Sequence, residues 1–188
     1  MYRFDQACRV KAVKLAAGLG MEEQLCINFM PNAVYSPTTC IRTTLAAARQ
    51  YEFDTRQLVF EFTEAETLTS TDHLVNIIDA YREMGFTIAI DDYGAGYSRL
   101  NLLIDTRPQY LKLDMSLIRD CDRQPAKQAL IEGTLLTMDK LGVQTIAEGV
   151  ETDAEYAWCR AHGIRYFQGY LLARPAFEAL PEPFIPAD

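Results

Sequence analysis

The sequence alternates six times between helical and strand patterns, and this alternation limits the fold more than any other feature. Six apolar runs have the length of strands, at 25–29, 58–62, 86–90, 110–114, 143–147 and 164–167. Among the helical segments, Ser36 followed by a proline begins a predicted helix through about Arg49, and another is predicted from about Pro125 to Leu141. Gly85, Gly142 and Gly163 each stand between a helical segment and the next strand, where a left-handed residue is favoured. The pattern predicts a parallel α/β sheet, either doubly wound or closed as a barrel.

The strand count bears on the choice between these two sheets. A closed (β/α)₈ barrel needs eight strands and typically ~250 residues. The present chain has 188 residues and six predicted strands, and it opens on a helical segment at 4–17. If the sheet belongs to a barrel, we therefore expect the opening strands to be the missing ones.

Polar side chains stand at or near the C-terminal end of every predicted strand. They are Asn28, Glu61, Asp91 with Asp92, Lys112, Glu148 and Gln168. Ligands bind and catalytic groups collect at this edge of parallel α/β sheets. Acids that converge there would repel one another, and a hard divalent cation such as Mg²⁺, Mn²⁺ or Ca²⁺ is the simplest remedy. Lys112 would then lie among anions, placed to orient a water or a phosphate oxygen.

Each of these residues also has a purely structural explanation. Asp91 and Asp92 precede a glycine-rich stretch and could form a turn. Glu61 could be a solvated charge, and Lys112 could alternate outward on its strand. These explanations do not account for the recurrence of polar groups at the same end of every strand, so we prefer the functional interpretation.

Composition excludes several classes of function. The chain has 26 acidic and 18 basic residues and a net charge of -8, which disfavours DNA or RNA as a partner. No apolar run approaches the ~18 residues of a membrane span, and a charged N-terminus does not suit a signal peptide. Five cysteines without C-x-x-C spacing indicate free thiols in a reducing compartment, so we expect a cytoplasmic protein.

Five segments, in order along the chain, resemble the EAL-domain phosphodiesterases of bacterial cyclic di-GMP signalling. They are LVFEFTE at 58–64, IDDYGAGYS at 90–98, LKLD at 111–114, AEGVE at 147–151 and FQGY at 167–170. The resemblance implies an α/β fold of the modified TIM-barrel type, N-terminally incomplete in this chain, with about six βα units. It implies a phosphodiesterase domain over 1–175 and a proline-rich tail over 176–188.

The resemblance also implies a reaction and a set of metal ligands. Members hydrolyse cyclic di-GMP to the linear dinucleotide with Mg²⁺ or Mn²⁺, and two ions are expected here. By position, Asn28, Glu61 and Asp91 resemble the ligands of the first ion. Asp91, Asp92 and Glu148 resemble those of the second, so that Asp91 bridges the pair.

Other roles follow from the same resemblance. Lys112 resembles the residue that orients the attacking water, and with Glu148 it forms the expected catalytic pair. Gln168 would support the substrate site through water, and Pro175 would lie near a guanine. Two further acids are expected behind the ligands: Asp114 and Glu151.

A loop and its anchor carry the expected regulation. Glu64 resembles the acid that anchors the loop 92–98, which the family links to dimerisation and activity. We therefore expect a homodimer, fused to or regulated by a sensory domain.

One departure from the family concerns the Glu-Ala-Leu segment for which it is named. Its Glu is a further ligand of the first ion, and the family's opening strands come from the same region. In the family this segment lies near the start of the domain, and no such segment occurs near the start of the 188 residues; the Glu-Ala-Leu triplet at 178–180 is close to the opposite end. Two explanations stay open: the chain is a fragment of a longer polypeptide, or the segment is lost.

Three functions compete at this point. The leading hypothesis is a metal-dependent cyclic di-GMP phosphodiesterase. The second is a catalytically inactive EAL-like domain that acts as a cyclic di-GMP receptor or a protein-interaction module. The third is an unrelated barrel enzyme with a lysine base and an Mg²⁺-stabilised enolate, which leaves the five ordered segments unexplained.

Overall fold

The computed structural model of the chain describes residues 2–63, 70–96 and 100–186. Six strands lie within these residues: β1 (Leu25–Asn28), β2 (Leu58–Thr63), β3 (Thr87–Tyr93), β4 (Tyr110–Leu113), β5 (Gln144–Ala147) and β6 (Tyr166–Phe167). The helices are α1 (Tyr2–Gly18), α2 (Pro37–Cys40), α3 (Arg42–Gln50), α4 (Thr71–Glu83), α5 (Leu100–Thr106), α6 (Met115–Ile118), α7 (Pro125–Leu141) and α8 (Asp153–Ala161).

The strands pair in their order along the chain, β1-β2-β3-β4-β5-β6. The β1–β2, β4–β5 and β5–β6 pairs are parallel. Helices occupy the connections, as parallel pairing requires. The predicted six-stranded parallel α/β sheet is therefore confirmed.

Two compact units make up the chain. The first contains β1, all but the last residue of β2, the start of β3 and helices α1 to α4 with most of α5. The second contains the end of β3, strands β4 to β6 and helices α6 to α8. The polar residues at the ends of β3 to β6 belong to the second unit.

Aromatic rings fill the core of the first unit. The ring centre of Phe60 on β2 lies 4.9 Å from that of Tyr81 on α4 and 5.1 Å from that of Phe86. Arg9 of α1 is 1% exposed, and its guanidinium carbon lies 5.6 Å from the centre of the Phe60 ring. The buried charge is paired with Asp5 at 2.6 Å. Each aromatic pair contributes about 0.5–1.5 kcal/mol beyond its buried area.

In the second unit, local signals set the helix ends. Proline at the first position begins α7, and Gly142, with φ of 70°, ends it in the left-handed conformation that glycine adopts at low cost. The predicted helix from about Pro125 to Leu141 is therefore confirmed. Helix α8 begins with a capping box in which Thr152 and Glu155 exchange side-chain and backbone hydrogen bonds.

The structure departs from the sequence prediction in two places. A single helix was expected from Ser36 to about Arg49, but α2 and α3 are separated at Ile41, in a stretch of β-branched residues with weak helix propensity. Strand β3 runs through Asp91 and Asp92 instead of ending before them.

Three of the five cysteines are buried, and all five are free thiols, as the composition indicated. Residues 174–185 are exposed. Within the described part of the chain, no helix has both the length and the apolar character needed to cross a membrane.

Candidate active site

Three carboxylates in the second unit lie close enough to share one cation. One oxygen from each of Asp91, Asp92 and Glu148 lies within 4.8 Å of the other two. The ammonium of Lys112 is 2.9 Å from Asp91 Oδ1 and 2.8 Å from Glu148 Oε1. Three carboxylates and one ammonium leave a formal excess of two negative charges in a largely buried place. A divalent cation fits this set because it balances the charge and prefers carboxylate oxygens.

Backbone hydrogen bonds continue past the strand ends and fix this cluster. The N–H of Glu148 donates to Leu113 O at 3.1 Å, and the N–H of Gln168 donates to Ala147 O at 2.8 Å. The N–H of Val150 in turn donates to Gln168 O at 3.1 Å. The segments that follow β4, β5 and β6 are therefore held side by side, which brings the predicted Glu148 and Gln168 to one edge.

Asp92 has a backbone conformation that few residues with a side chain adopt. Its φ is 56°, in the left-handed region, and its N–H donates to Asp91 Oδ1 at 3.1 Å. Such a conformation costs of order 1–3 kcal/mol and is concentrated at functional sites. Both aspartates lie within β3, and a turn also begins at Asp92, whose carbonyl oxygen accepts the N–H of Ala95 at 3.1 Å. The turn expected from the sequence is therefore present beside the carboxylate cluster.

Burial shifts the acidities of two members of the cluster. It raises the pKa of Glu148 to about 7, against the opposing effect of the Lys112 ammonium and with a further upward contribution from Asp91. It also raises the pKa of Asp92, together with the like charges of Asp91 and Asp114. Burial is the largest cause of both shifts, and a cation bound at the carboxylates would oppose it by favouring their ionised forms.

A cavity of about 510 Å³ opens beside the carboxylates. Its size is that of a small-molecule site. Six residues predicted from the sequence line it: Asp92, Asp114, Glu148, Glu151, Gln168 and Pro175. The structure therefore brings the expected substrate residues and the expected metal ligands of this unit together, whereas their individual roles stay predictions.

The sequence analysis assigned no role to several lining residues of this cavity, of which two carry polar groups suited to a ligand. Tyr170 and Arg174 also line it, and the guanidinium carbon of Arg174 lies 4.6 Å from the centre of the Tyr170 ring. The signal was available, because Tyr170 closes one of the five recognised segments. This cation–π contact places a positive charge and an aromatic ring in the same cavity as the acids.

Two predicted acids behind the site have clear partners. Glu151 accepts a charge-assisted hydrogen bond from Arg119 at 2.7 Å, and this bond lowers the pKa of Glu151. Asp114 accepts the N–H of Ser116 at 2.8 Å and so begins α6. Asp114 fixes the backbone that follows β4, and Glu151 fixes the segment that follows β5.

Asn28 and Glu61 belong to the first unit. They are directly opposite each other in the register of β1 and β2, and Glu61 is 3% exposed whereas Asn28 is exposed. The register supports the prediction that their side chains serve one ion. Glu64 and residues 97–98 of the predicted loop 92–98 lie outside the described residues.

Three comparisons place this site in a known context. The family model of the EAL domain matches residues 1–175. The chain is 48% identical to a standalone versatile EAL protein of Vibrio cholerae O395 solved in its c-di-GMP bound form, with a TM-score of 0.93 over 97% of this chain and 77% of that chain. It is 36% identical to a manganese/cy-diGMP complex of Klebsiella pneumoniae BlrP1, with a TM-score of 0.88 over 94% of this chain and 45% of that chain.

A curated relative extends the comparison to a named activity. The chain is 33% identical to the probable cyclic di-GMP phosphodiesterase PdeG of Escherichia coli K12. The aligned 152 residues cover 79% of this chain and 29% of PdeG. The chain spans less than half the length of the first curated relatives that it matches. The similarity to the V. cholerae protein confirms the predicted α/β fold of the EAL type. The chain belongs to the EAL domain family.

Proposed function

We propose that this EAL domain hydrolyses cyclic di-GMP to the linear dinucleotide with the help of Mg²⁺ or Mn²⁺. The observation that carries the proposal is the cluster of Asp91, Asp92 and Glu148 around Lys112 at the ends of parallel strands. Two similarities support the proposal. PdeG is named a probable cyclic di-GMP phosphodiesterase, and BlrP1 was solved as a manganese/cy-diGMP complex.

Two cations are proposed, as in the sequence analysis. Asp91, Asp92 and Glu148 would hold one, and the fit rests on their spacing and shared excess of negative charge. Asn28 and Glu61 stay the predicted ligands of the other, supported by their paired register. A bound divalent cation supplies an acidified water and stabilises charge on phosphate oxygens.

The side chains of the chain itself would do the remaining work. Lys112 keeps its ammonium between two carboxylates, and we propose that it orients the attacking water with an N–H donor. Burial raises the pKa of Glu148, and a cation bound beside it would favour the ionised carboxylate. Gln168 and Pro175 line the cavity and would position the dinucleotide beside these groups.

The test is chromatography of cyclic di-GMP incubated with the chain and Mn²⁺, with a chelated sample in parallel. We expect metal-dependent linear dinucleotide, and a loss of at least about a hundredfold in Asp91→Asn, since a catalytic cation supplies several kcal/mol. Asp139→Asn is the matched control, because Asp139 is an exposed acid on α7. An Asp91→Asn variant as active as the wild type would refute the proposal. Binding of the dinucleotide without turnover by the wild type would favour the receptor function instead.

We further propose that the domain acts in the cytoplasm as a homodimer controlled by a sensory domain. The five free thiols support a reducing compartment, and the family resemblance supports the dimer and the sensory control. Sedimentation equilibrium across a range of protein concentrations tests the dimer, and a mass that stays monomeric throughout would rule it out.

A further inference from the structure

Glu155, in the first turn of α8, is a buried acid that the site described above does not include. The residue is 1% exposed. Its Oε2 accepts the N–H groups of Glu151 at 3.0 Å and Thr152 at 3.1 Å, and its Oε1 accepts the N–H of Asp120 at 2.9 Å. The bond to Thr152 belongs to the capping box of the helix. The bond to Asp120 does not, because Asp120 lies 35 positions away, between α6 and α7.

The two loops joined by Glu155 both lead to the candidate site. One follows β5 and carries Glu148, three positions before Glu151. The other follows β4, which carries Lys112. A second link joins the same loops, since Arg119 pairs with Glu151 at 2.7 Å.

The loops also touch where they pass the cavity. Gly149 has φ of 65°, and a Cβ added there would overlap the side chain of Met115. Both residues line the cavity that contains Glu148. A small displacement of one loop therefore moves the other. The carboxylate of Glu155 accepts hydrogen bonds from the backbone N–H groups of both loops.

The carboxylate of Glu155 is ionised at neutral pH. Burial alone would raise its pKa, but the hydrogen bonds from Asp120, Glu151 and Thr152 outweigh burial and lower it. An ionised carboxylate has two oxygens, and both of them accept hydrogen bonds from N–H groups. A neutral amide of the same shape has one oxygen and would turn its NH₂ toward an N–H donor on the other side.

We infer that Glu155 is a positioning residue for the cation site, fixing the backbone after β5 against the connection after β4 so that Glu148 and Lys112 keep their separation. The inference deepens the proposed function and rests on it only for the existence of a cation at Glu148. The competing explanation is that Glu155 stabilises α8 and nothing else. The two explanations differ in whether cation affinity changes.

Glu155→Gln and Thr152→Ala separate these explanations. Thr152→Ala removes the 3.2 Å bond between Thr152 Oγ1 and the Glu155 N–H, which is the other half of the capping box, and leaves the carboxylate in place. Mn²⁺ dissociation constants are measured by titration calorimetry on the full chain. We expect Glu155→Gln to weaken Mn²⁺ binding by about 10- to 100-fold, the usual effect of residues that orient ligands. Thr152→Ala should lower the melting temperature but leave the dissociation constant within about twofold of wild type, as a cap alone does.

Amide hydrogen exchange gives a second measurement that needs no turnover. In Glu155→Gln we expect faster exchange at Asp120 or at the pair Glu151 and Thr152, because one side of the new amide cannot accept. If Glu155→Gln does not fold, Glu155→Asp keeps the charge but shortens the reach, and it should weaken Mn²⁺ binding in the same direction.

The outcomes separate this inference from the proposed function. Weakened Mn²⁺ binding in the Glu155 variant supports the positioning role even if the wild type hydrolyses nothing. Wild-type Mn²⁺ affinity in a folded Glu155→Gln or Glu155→Asp variant overturns it and leaves Glu155 as a helix cap. A wild-type chain that binds no Mn²⁺ overturns it together with the cation site.

Discussion

Lys112 sits between two acids with little access to water. The residue is 4% exposed, and its ammonium lies within 2.9 Å of Asp91 and within 2.8 Å of Glu148. Removing one partner from such a buried pair leaves uncompensated charge and costs about 3–5 kcal/mol. A bound cation would supply that charge instead, so the cost of losing Lys112 depends on the metal.

We predict that Lys112→Met lowers the free energy of unfolding by about 3 kcal/mol in the presence of a chelator, and by clearly less in saturating Mn²⁺. Urea unfolding of both samples measures the difference. Lys140→Met is the matched control, because Lys140 is exposed on α7 and its loss should change stability by no more than about 0.5 kcal/mol. Equal destabilisation of Lys112→Met with and without Mn²⁺ would contradict the cation site.

The position of residues along predicted strands was enough to find part of the site. Asp91, Lys112 and Glu148 were predicted to meet because the ends of parallel strands share an edge, and their spacing confirms it. Glu155 was not found, because its role depends on a loop 35 positions away. No periodicity in a sequence reports which two loops meet.

At the scale of the elements, local signals predicted helix ends better than strand ends. Helix α7 was predicted at both ends, since Pro125 and Gly142 act through their own backbone. Strand β3 runs three residues past Ile90, and the N–H of Asp114 donates to Tyr93 O at 3.0 Å at its end. The residue directly after β4 supplies that partner, so the sequence of β3 alone does not determine where it ends.

The contact between the segments after β5 and β6 requires a glycine, which has no side chain, at position 169. A Cβ at Gly169 would overlap the backbone N and O of Val150. The backbone of Val150 cannot move away without breaking the hydrogen bond that its N–H donates to Gln168 O. Gln168 and Gly169 both line the cavity. The close approach of two backbones is therefore part of how this edge of the sheet positions the site.

We predict that Gly169→Ala destabilises the chain by about 1–3 kcal/mol, near the upper end because the atoms it meets are backbone. Gly133→Ala is the control, since Gly133 lies within α7 with open space around it and alanine there should stabilise by about 0.5–1 kcal/mol. Thermal unfolding of both variants gives opposite signs if the close approach is real. A Gly169→Ala variant as stable as the wild type would show that the two segments do not approach so closely.

For the molecule as a whole, cations can stabilise the folded chain in two ways, by screening its net charge and by binding at a specific site. The chain carries a net charge of -8, so any salt reduces its self-repulsion. A specific site adds a second effect, because a ligand that binds only the folded state stabilises it in proportion to the logarithm of its concentration. The first effect is shared by all cations, whereas the second requires Asp91, Asp92 and Glu148.

We predict that Mn²⁺ at about 100 times its dissociation constant stabilises the chain by ~2.7 kcal/mol and raises its melting temperature by on the order of 5–10 °C. NaCl at matched ionic strength should give a much smaller rise, since it only screens. Asp91→Asn should lose most of the Mn²⁺ effect, whereas Asp139→Asn, which removes one exposed charge from α7, should keep it. If NaCl or Asp91→Asn reproduced the full wild-type rise, the stabilisation would come from overall charge, and the three carboxylates would not form a cation site.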